Sequence, residues 1–359
     1  KHSACTSPPL PRATAPWAGR WHMGAGGCGT ESWSRCGNIE SAVLASAPTN
    51  FFGNQRGGDD PNVTGVRSPL VKEVKEFRAV GSAPRSPKGQ EGFRAAMKDL
   101  HQAARAGHLK RAVEAISKGA DVRGQTLRGQ SALMLAAGSS AQGSLETVRF
   151  LLESMSDLDA QDEKGWTALL HACRNNRLES VKLLLESAAY VKVKASDGKT
   201  AVMLAALDGA TDLAMVLVDK QASLNAADHN DWSALLYACD SGRCDLVKAL
   251  IKKQADAKAK ARDGTTALMV AAERGYLDIG DVLQKKGVSL NSRNLAGDTA
   301  LLLSLRADQL QFAEWLVNAA ADVTLRNKAN EDATEVAEKM GAGFLKIKLE
   351  LKSRGGAKD

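Results

Sequence analysis

The sequence predicts an all-α solenoid, a stack of helix-turn-helix units joined by hairpins, and three observations carry that expectation. First, a nine-residue motif occurs six times: GQSALMLAA from Gly129, GWTALLHAC from Gly165, GKTAVMLAA from Gly198, DWSALLYAC from Asp231, GTTALMVAA from Gly264 and GDTALLLSL from Gly297. Second, the alanine after its Thr or Ser falls at residues 132, 168, 201, 234, 267 and 300, so the first interval is 36 residues and the next four are 33. Third, each copy is followed by an apolar stripe at i, i+3, i+4 spacing, such as Val181, Leu184 and Leu185. Each unit in such an array packs only on its neighbours, so the core is long and thin.

Taken in order, residues 1–90 form a leader expected to be disordered. All nine prolines lie at or before Pro87, Gly and Ser are scattered among them, and no period of 2 or 3.6 is sustained. A short amphipathic helix is expected only over Leu70–Val80. Gly24, Gly26 and Gly29 satisfy GxGxxG, but no strand pattern precedes them and no helical one follows, which makes the match a coincidence in Gly-rich coil. The sequon at Asn62–Val63–Thr64 has meaning only on secretion, while Ser68 and Ser86, each before a proline, suit proline-directed phosphorylation. The chain begins with Lys1, and Met97 is an attractive start for the ordered part. An amino-terminal capping unit is expected over 97–125, six full units over 126–326, a degenerate carboxy-terminal cap over 327–352 and a fraying tail over 353–359.

Within a unit, the hydroxyl of Thr167 can cap the first helix, and Leu169, Leu170, Ala172 and Cys173 face inward. The glycines at 129, 165, 198, 264 and 297 sit where a tight hairpin needs positive φ, and Asp231 and Asn330 replace Gly there, both residue types that tolerate the left-handed region. The three extra residues of the first interval fall in Gly138–Ser144, a lengthened connection between the two helices of that unit. In the tail, Phe344, Leu345, Ile347, Leu349 and Leu351 are placed to cover the open end of the stack.

Composition excludes several functions. The net charge of +7 is concentrated in residues 1–96, which hold 12 Lys+Arg and 7 Asp+Glu of the chain's 48 and 41, leaving 36 against 34 for the rest. A near-neutral body argues against a nucleic-acid groove. No apolar run approaches the roughly 18 residues that cross a bilayer. The six cysteines show no paired CxxC spacing and no secretory signal opens the chain, which points to a reducing, intracellular setting, the cytoplasm ahead of the nucleus. No Ser/His/Asp or Cys/His set, HExxH or phosphate-binding loop is evident, and His171 lies in an apolar face opposite Tyr237 in a sister unit, as a packed groove residue would. No catalytic residue, metal ligand or cofactor is expected.

The pattern resembles ankyrin repeats over about 97–352, with units beginning near Thr126, Asp162, Ala195, Asp228, Ala261, Asn294 and Asn327, and with GHLKRAVEAISKGADV at Gly107–Val122 matching the family's second helix and Gly-Ala-Asp turn. The chain departs from the family's TPLH tetrapeptide: Ala replaces Pro throughout, and Met134, Leu170, Met203, Leu236, Met269 and Leu302 stand where the His would be, with only His101 of the first cap at that place. Loss of that His is expected to remove hydrogen bonds tying neighbouring fingers together. Units also alternate in type, the pattern left by duplication of a 66-residue pair.

The resemblance implies a concave partner-binding face built from fingertips and first helices. It places contacts at Glu163, Lys164, Trp166, Arg174 and Asn175; at Ser196, Asp197, Lys199, Leu207 and Asp208; at His229, Asn230, Trp232, Asp240 and Ser241; and at Arg262, Asp263, Thr265, Glu273 and Arg274. Trp166 and Trp232 are the expected anchors, since Trp is enriched among interface hot spots; the alternative is that each indole lies across the neighbouring finger in the space left by the His. Lys192, Lys194 and Lys199 on one finger, and Lys258, Lys260 and Arg262 on another, suit a partner with an acidic or phosphorylated segment. The reading that results is a monomeric, non-enzymatic protein-interaction scaffold or adaptor; the alternative is a regulatory or substrate-recruiting region of a larger enzyme or signalling protein.

Overall fold

The computed structural model describes residues 87–341; the leader up to residue 86, with Leu70–Val80, and the apolar tail from Phe344 lie outside them. Helices α1 (Pro87–Ala106) and α2 (Leu109–Ser117) make the first pair. Six full pairs follow: α3 (Ala132–Ala137) with α4 (Ser144–Glu153), α5 (Ala168–Arg174) with α6 (Leu178–Glu186), α7 (Ala201–Leu207) with α8 (Thr211–Asp219), α9 (Ala234–Asp240) with α10 (Cys244–Lys252), α11 (Ala267–Arg274) with α12 (Leu277–Lys285), and α13 (Ala300–Arg306) with α14 (Leu310–Asn318). The last described helix is α15 (Ala333–Lys339).

First helices pack on first helices of adjacent units, second on second, and each first helix on its own second helix. That arrangement explains the sequence of the short first helices. They are too short to persist alone, and packing on several sides makes them apolar nearly all round: in α7, all six residues from Ala201 to Ala206 are buried. Ala and Cys at the closest approaches keep the layers tight; Cys173 and Cys239 are fully buried. The side chains of Ser131, Thr167, Thr200, Ser233, Thr266 and Thr299 each accept the backbone N–H three residues on, at 3.3–3.5 Å. Such a cap contributes about 1 kcal/mol per helix.

Between units the chain runs out into a hairpin finger and back. At its tip Gly198 has φ +85°, and a Cβ there would stand 2.9 Å from Asp228 Cα and His229 N of the next finger, so both conformation and space require glycine. Asp231 and Asn330, with φ 59° and 61°, take the same left-handed conformation.

His101, at the family's His position, bonds Gly124 O at 3.1 Å, a bond that the Met and Leu at the other positions cannot make, yet neighbouring fingers stay joined through the backbone. Each finger from the second onward donates one backbone N–H to the finger before it: Glu163 to Arg128 O (3.3 Å), Ser196 to Lys164 O (2.8 Å), His229 to Asp197 O (3.1 Å), Arg262 to Asn230 O (2.9 Å), Leu295 to Asp263 O (2.6 Å) and Lys328 to Ala296 O (3.0 Å). The backbone needs no imidazole for this ladder. Where the His is replaced by Met134, Met203 or Met269, the thioether accepts the N–H of its own helix-capping residue at 3.4 Å, a weak but local substitute.

The first pair also differs in extent from the sequence reading. Helix α1 starts at Pro87, ten residues before Met97, at a residue type that suits a first helical position, and its buried stripe is Ala96, Leu100, Ala103 and Ala104. Met97 lies inside the helix, where its sulfur accepts the Asp121 N–H at 3.2 Å. The three-residue insertion of the next unit is the expected loop between α3 and α4, packed closely on the first pair: a Cβ on Gly143 would be 2.6 Å from Gly107 O, and Ser139 Oγ donates to Arg105 O at 2.7 Å.

Candidate protein-interaction surface

Two units carry a built-in aromatic fixture. In the hairpin before α5, Asp162 Oδ1 accepts the N–H groups of Lys164 and Trp166, both at 2.9 Å, and Oδ2 accepts from His171 Nε2 at 2.9 Å. The pattern recurs 66 residues later. Asp228 Oδ1 accepts the N–H groups of Asn230 and Trp232, both at 2.9 Å, while Oδ2 accepts the Tyr237 hydroxyl at 2.6 Å. One carboxylate thus closes the finger turn and ties it to the first helix nine residues on. The indoles then lean on the same rings: Trp166 on His171 at 5.3 Å between centroids and 55° between planes, Trp232 on Tyr237 at 5.1 Å and 50°. Such tilted pairs contribute roughly 0.5–1.5 kcal/mol beyond area burial.

Both tryptophans are half-buried, with one side on the core and the other open to solvent. Each rests on the ring of its own first helix. Burial, aided by Asp228, pushes the Tyr237 phenol well above its usual range, so it stays a neutral donor to that carboxylate. Burial likewise pushes the thiols of Cys173 and Cys239 far up and leaves them unreactive. Among the described residues no group of three His, Cys, Asp or Glu is placed to hold a metal ion.

The third unit of this type replaces the aromatics with charge. Asn294 holds the turn through the N–H groups of Ala296 and Asp298, and Asp298, at the tryptophan position, pairs with Arg306 at 2.7 Å. Arg306 also pairs with Glu331, which takes Lys339 at 2.6 Å and the Asn327 amide at 3.1 Å. Hydrogen bonds from Lys339, Asn327 and Arg306 bring the Glu331 carboxyl down to about 2. This network fastens α15 to the stack.

The remaining expected contact residues separate into three groups. Four are joined in ion pairs between adjacent first helices: Arg174 with Asp208 at 2.9 Å, and Asp240 with Arg274 at 2.8 Å. Asn175 bridges units as well, donating to Gly138 O at 2.9 Å. A second group is engaged within or between fingers: Lys199 with Asp197 at 2.7 Å, Lys194 with Ala227 O at 3.1 Å, Arg262 with Asp231 at 3.5 Å, and Asp263 with the Thr265 hydroxyl at 2.8 Å. The bonds from Lys199 outweigh a burial effect of opposite sign and hold the Asp197 carboxyl below its usual value. The third group, Glu163, Lys164, His229, Asn230 and Lys260, has exposed side chains on finger strands and tips.

Sequence reasoning missed the two aspartates at 162 and 228 and the Arg306–Glu331 network. The first had a signal: an Asp four residues before each of two tryptophans and nine before a hydrogen-bonding ring, repeated at 66 residues.

A family profile described as ankyrin repeats (3 copies) matches residues 100–195, 186–261 and 254–327. No curated protein matches the chain.

Proposed function

Because the chain belongs to the ankyrin-repeat family, whose repeats are generally protein–protein interaction modules and typically non-catalytic, we propose that it is a non-enzymatic adaptor that holds one protein partner on its concave face. The observation that carries this reading is the pair of half-exposed tryptophans, Trp166 and Trp232, each fixed by a carboxylate and a ring of its own unit. An anchor that is ordered before binding loses little side-chain entropy on complex formation. Stacked helices lie about 8–10 Å apart, so anchors two units apart stand roughly 16–20 Å apart, a span one partner can cover. The adaptor acts as a monomer inside the cell, a setting supported by the free thiols of Cys173, Cys239 and Cys244; among the described residues no helix is long and apolar enough to cross a membrane.

The test is affinity capture from cell lysate with the full chain and with its Trp166→Ala/Trp232→Ala variant, after both are shown to unfold at the same urea concentration. A partner retained by the first and lost, by tenfold or more, from the second is the expected result. Equal capture by both would make the indoles structural and remove the proposal.

A further inference from the structure

In the third and fifth fingers the strand entering the hairpin alternates. Val193 and Ala195 are buried while Lys192, Lys194 and Ser196 are exposed; Ala261 is buried while Lys258, Lys260 and Arg262 are exposed. The same period of two places Asn225 and His229, then Asn291, Arg293 and Leu295, then Thr324, Arg326 and Lys328 on exposed positions of the fourth, sixth and seventh fingers. From the third finger to the seventh, none of these exposed positions carries a carboxylate. The second finger is opposite in sign, with Asp159 and Glu163 at the equivalent places.

Of the acids near this row, Asp197 and Asp231 are offset by a cation, whereas Asp256 and Asp263 accept from neutral donors and keep their charge. Asp197 is held by Lys199, Asp256 Oδ1 accepts the Lys258 backbone N–H, and Asp263 is closed on Thr265. Arg262 shares Asp231, and Arg326 is folded back onto Asp332 and Glu335. Beside them stands a row of cations, Lys192, Lys258, Lys260, Arg293 and Lys328, together with Lys194, whose ammonium donates to Ala227 O. They belong to a repeat body that is otherwise close to neutral, so the charge is gathered on one set of strands.

We propose that the exposed positions of fingers three to seven form a second docking surface, separate from the tryptophans, for an extended acidic segment of a partner protein. Four steps of about 8–10 Å span the row. At about 3.3–3.6 Å per residue an extended segment of roughly ten to twelve residues covers it, with acidic side chains recurring about every third residue. Protein is the occupant favoured over other polyanions. The cations are mostly lysines, point charges without the planar fork that suits phosphate. Leu295, 63% exposed, is the one large apolar side chain among these positions, too little for insertion into a bilayer.

Fluorescence anisotropy of the full chain with a labelled twelve-residue oligoglutamate, and with oligoglutamine of the same length, tests the assignment. Oligoglutamate binds and oligoglutamine does not; Lys258→Glu/Lys260→Glu weakens binding at least tenfold; and raising the salt from about 0.05 to 0.5 M abolishes it, as exposed ion pairs require. Trp166→Ala/Trp232→Ala leaves the affinity within twofold, so this surface and the concave groove stand or fall separately. Should charge reversal impair folding in urea titrations, Lys192→Gln/Lys258→Gln/Lys260→Gln replaces it with the same expected loss. The proposal is overturned by equal binding of the two peptides, by no binding at all, or by indifference to both sets of lysine variants. It is also overturned if a twelve-nucleotide single strand or anionic phosphatidylserine vesicles bind more tightly than oligoglutamate through the same lysines.

Discussion

Replacing Tyr237 by Phe keeps the ring against Trp232 and removes one hydrogen-bond donor, which makes it the sharpest probe of the aromatic fixture. The hydroxyl donates to Asp228 Oδ2 at 2.6 Å, with the two residues 9% and 5% exposed. A hydrogen bond to a charged group contributes about 1.5–3 kcal/mol, and that is the expected loss for Tyr237→Phe. Asp228→Ala removes the same bond together with those to the Asn230 and Trp232 N–H groups, and leaves three donors behind. Its expected cost is about 3–5 kcal/mol. Because both variants break the same contact, the double variant should be no more than about 0.5 kcal/mol worse than Asp228→Ala alone, giving a coupling of about 1–3 kcal/mol. Urea unfolding followed by far-ultraviolet circular dichroism on the four proteins measures it. If Tyr237→Phe costs as much in the Asp228→Ala background as in the parent, the carboxylate does not hold the ring, and the account of how Trp232 is fixed fails.

Two further outcomes follow from the fingers and the terminal cap. Gly198→Ala and Gly287→Ala both place a side chain in the left-handed region, at φ +85° and +71°, but only the first drives its Cβ into backbone, at 2.9 Å, while the second meets nothing within 4 Å. Gly287→Ala should therefore cost about 1–2 kcal/mol and Gly198→Ala about 1–3 kcal/mol more, compared by urea midpoints; equal losses would refute the close approach of adjacent fingers. Glu331 has its folded-state value lowered from 4.5 to about 2, so its stabilising contribution is full above pH 4.5 and is lost as the pH falls towards 2. Thermal melts from pH 6 to pH 2 should show this acid limb flattened in Glu331→Gln, and an unchanged limb would refute the network's role in holding α15.

What was legible in the sequence was whatever the chain must do in every unit. Gly198 and its equivalents marked the left-handed hairpin position, and Asp231 and Asn330 could be read as stand-ins because few other side chains tolerate it. The caps at Thr167 and its equivalents followed from hydroxyls placed before an apolar run. Contacts between units were harder. Arg174 and Asp208 lie 34 residues apart, one more than the period, so aligning the repeats sets Asp208 under Asn175 and conceals the pair. The start of α1 was hidden because Pro87 reads as the end of a Pro-rich leader when it is also a favourable first residue of a helix. Replacing the family's His leaves the fingers joined, because main-chain groups that no side-chain substitution removes link them.

The two-unit alternation gives these features a common cause. Units with Met134, Met203 or Met269 close their helix caps through sulfur, and at two of their three finger bases the small residues Ala195 and Ala261 are buried. Two of the alternate units place Asp162 or Asp228 at that base and spend the carboxylate on a Trp and a ring. Layers about 8–10 Å apart leave little room for a tilted indole pair in each one, so aromatic fixtures in every second unit, with Lys199 and Thr265 at the tryptophan position in the units between, match what the spacing allows. The lysine-bearing strands lead into those intervening units, at Lys192 and Lys194 and again at Lys258 and Lys260. The two-unit alternation therefore places tryptophans and lysines in alternate layers of the stack.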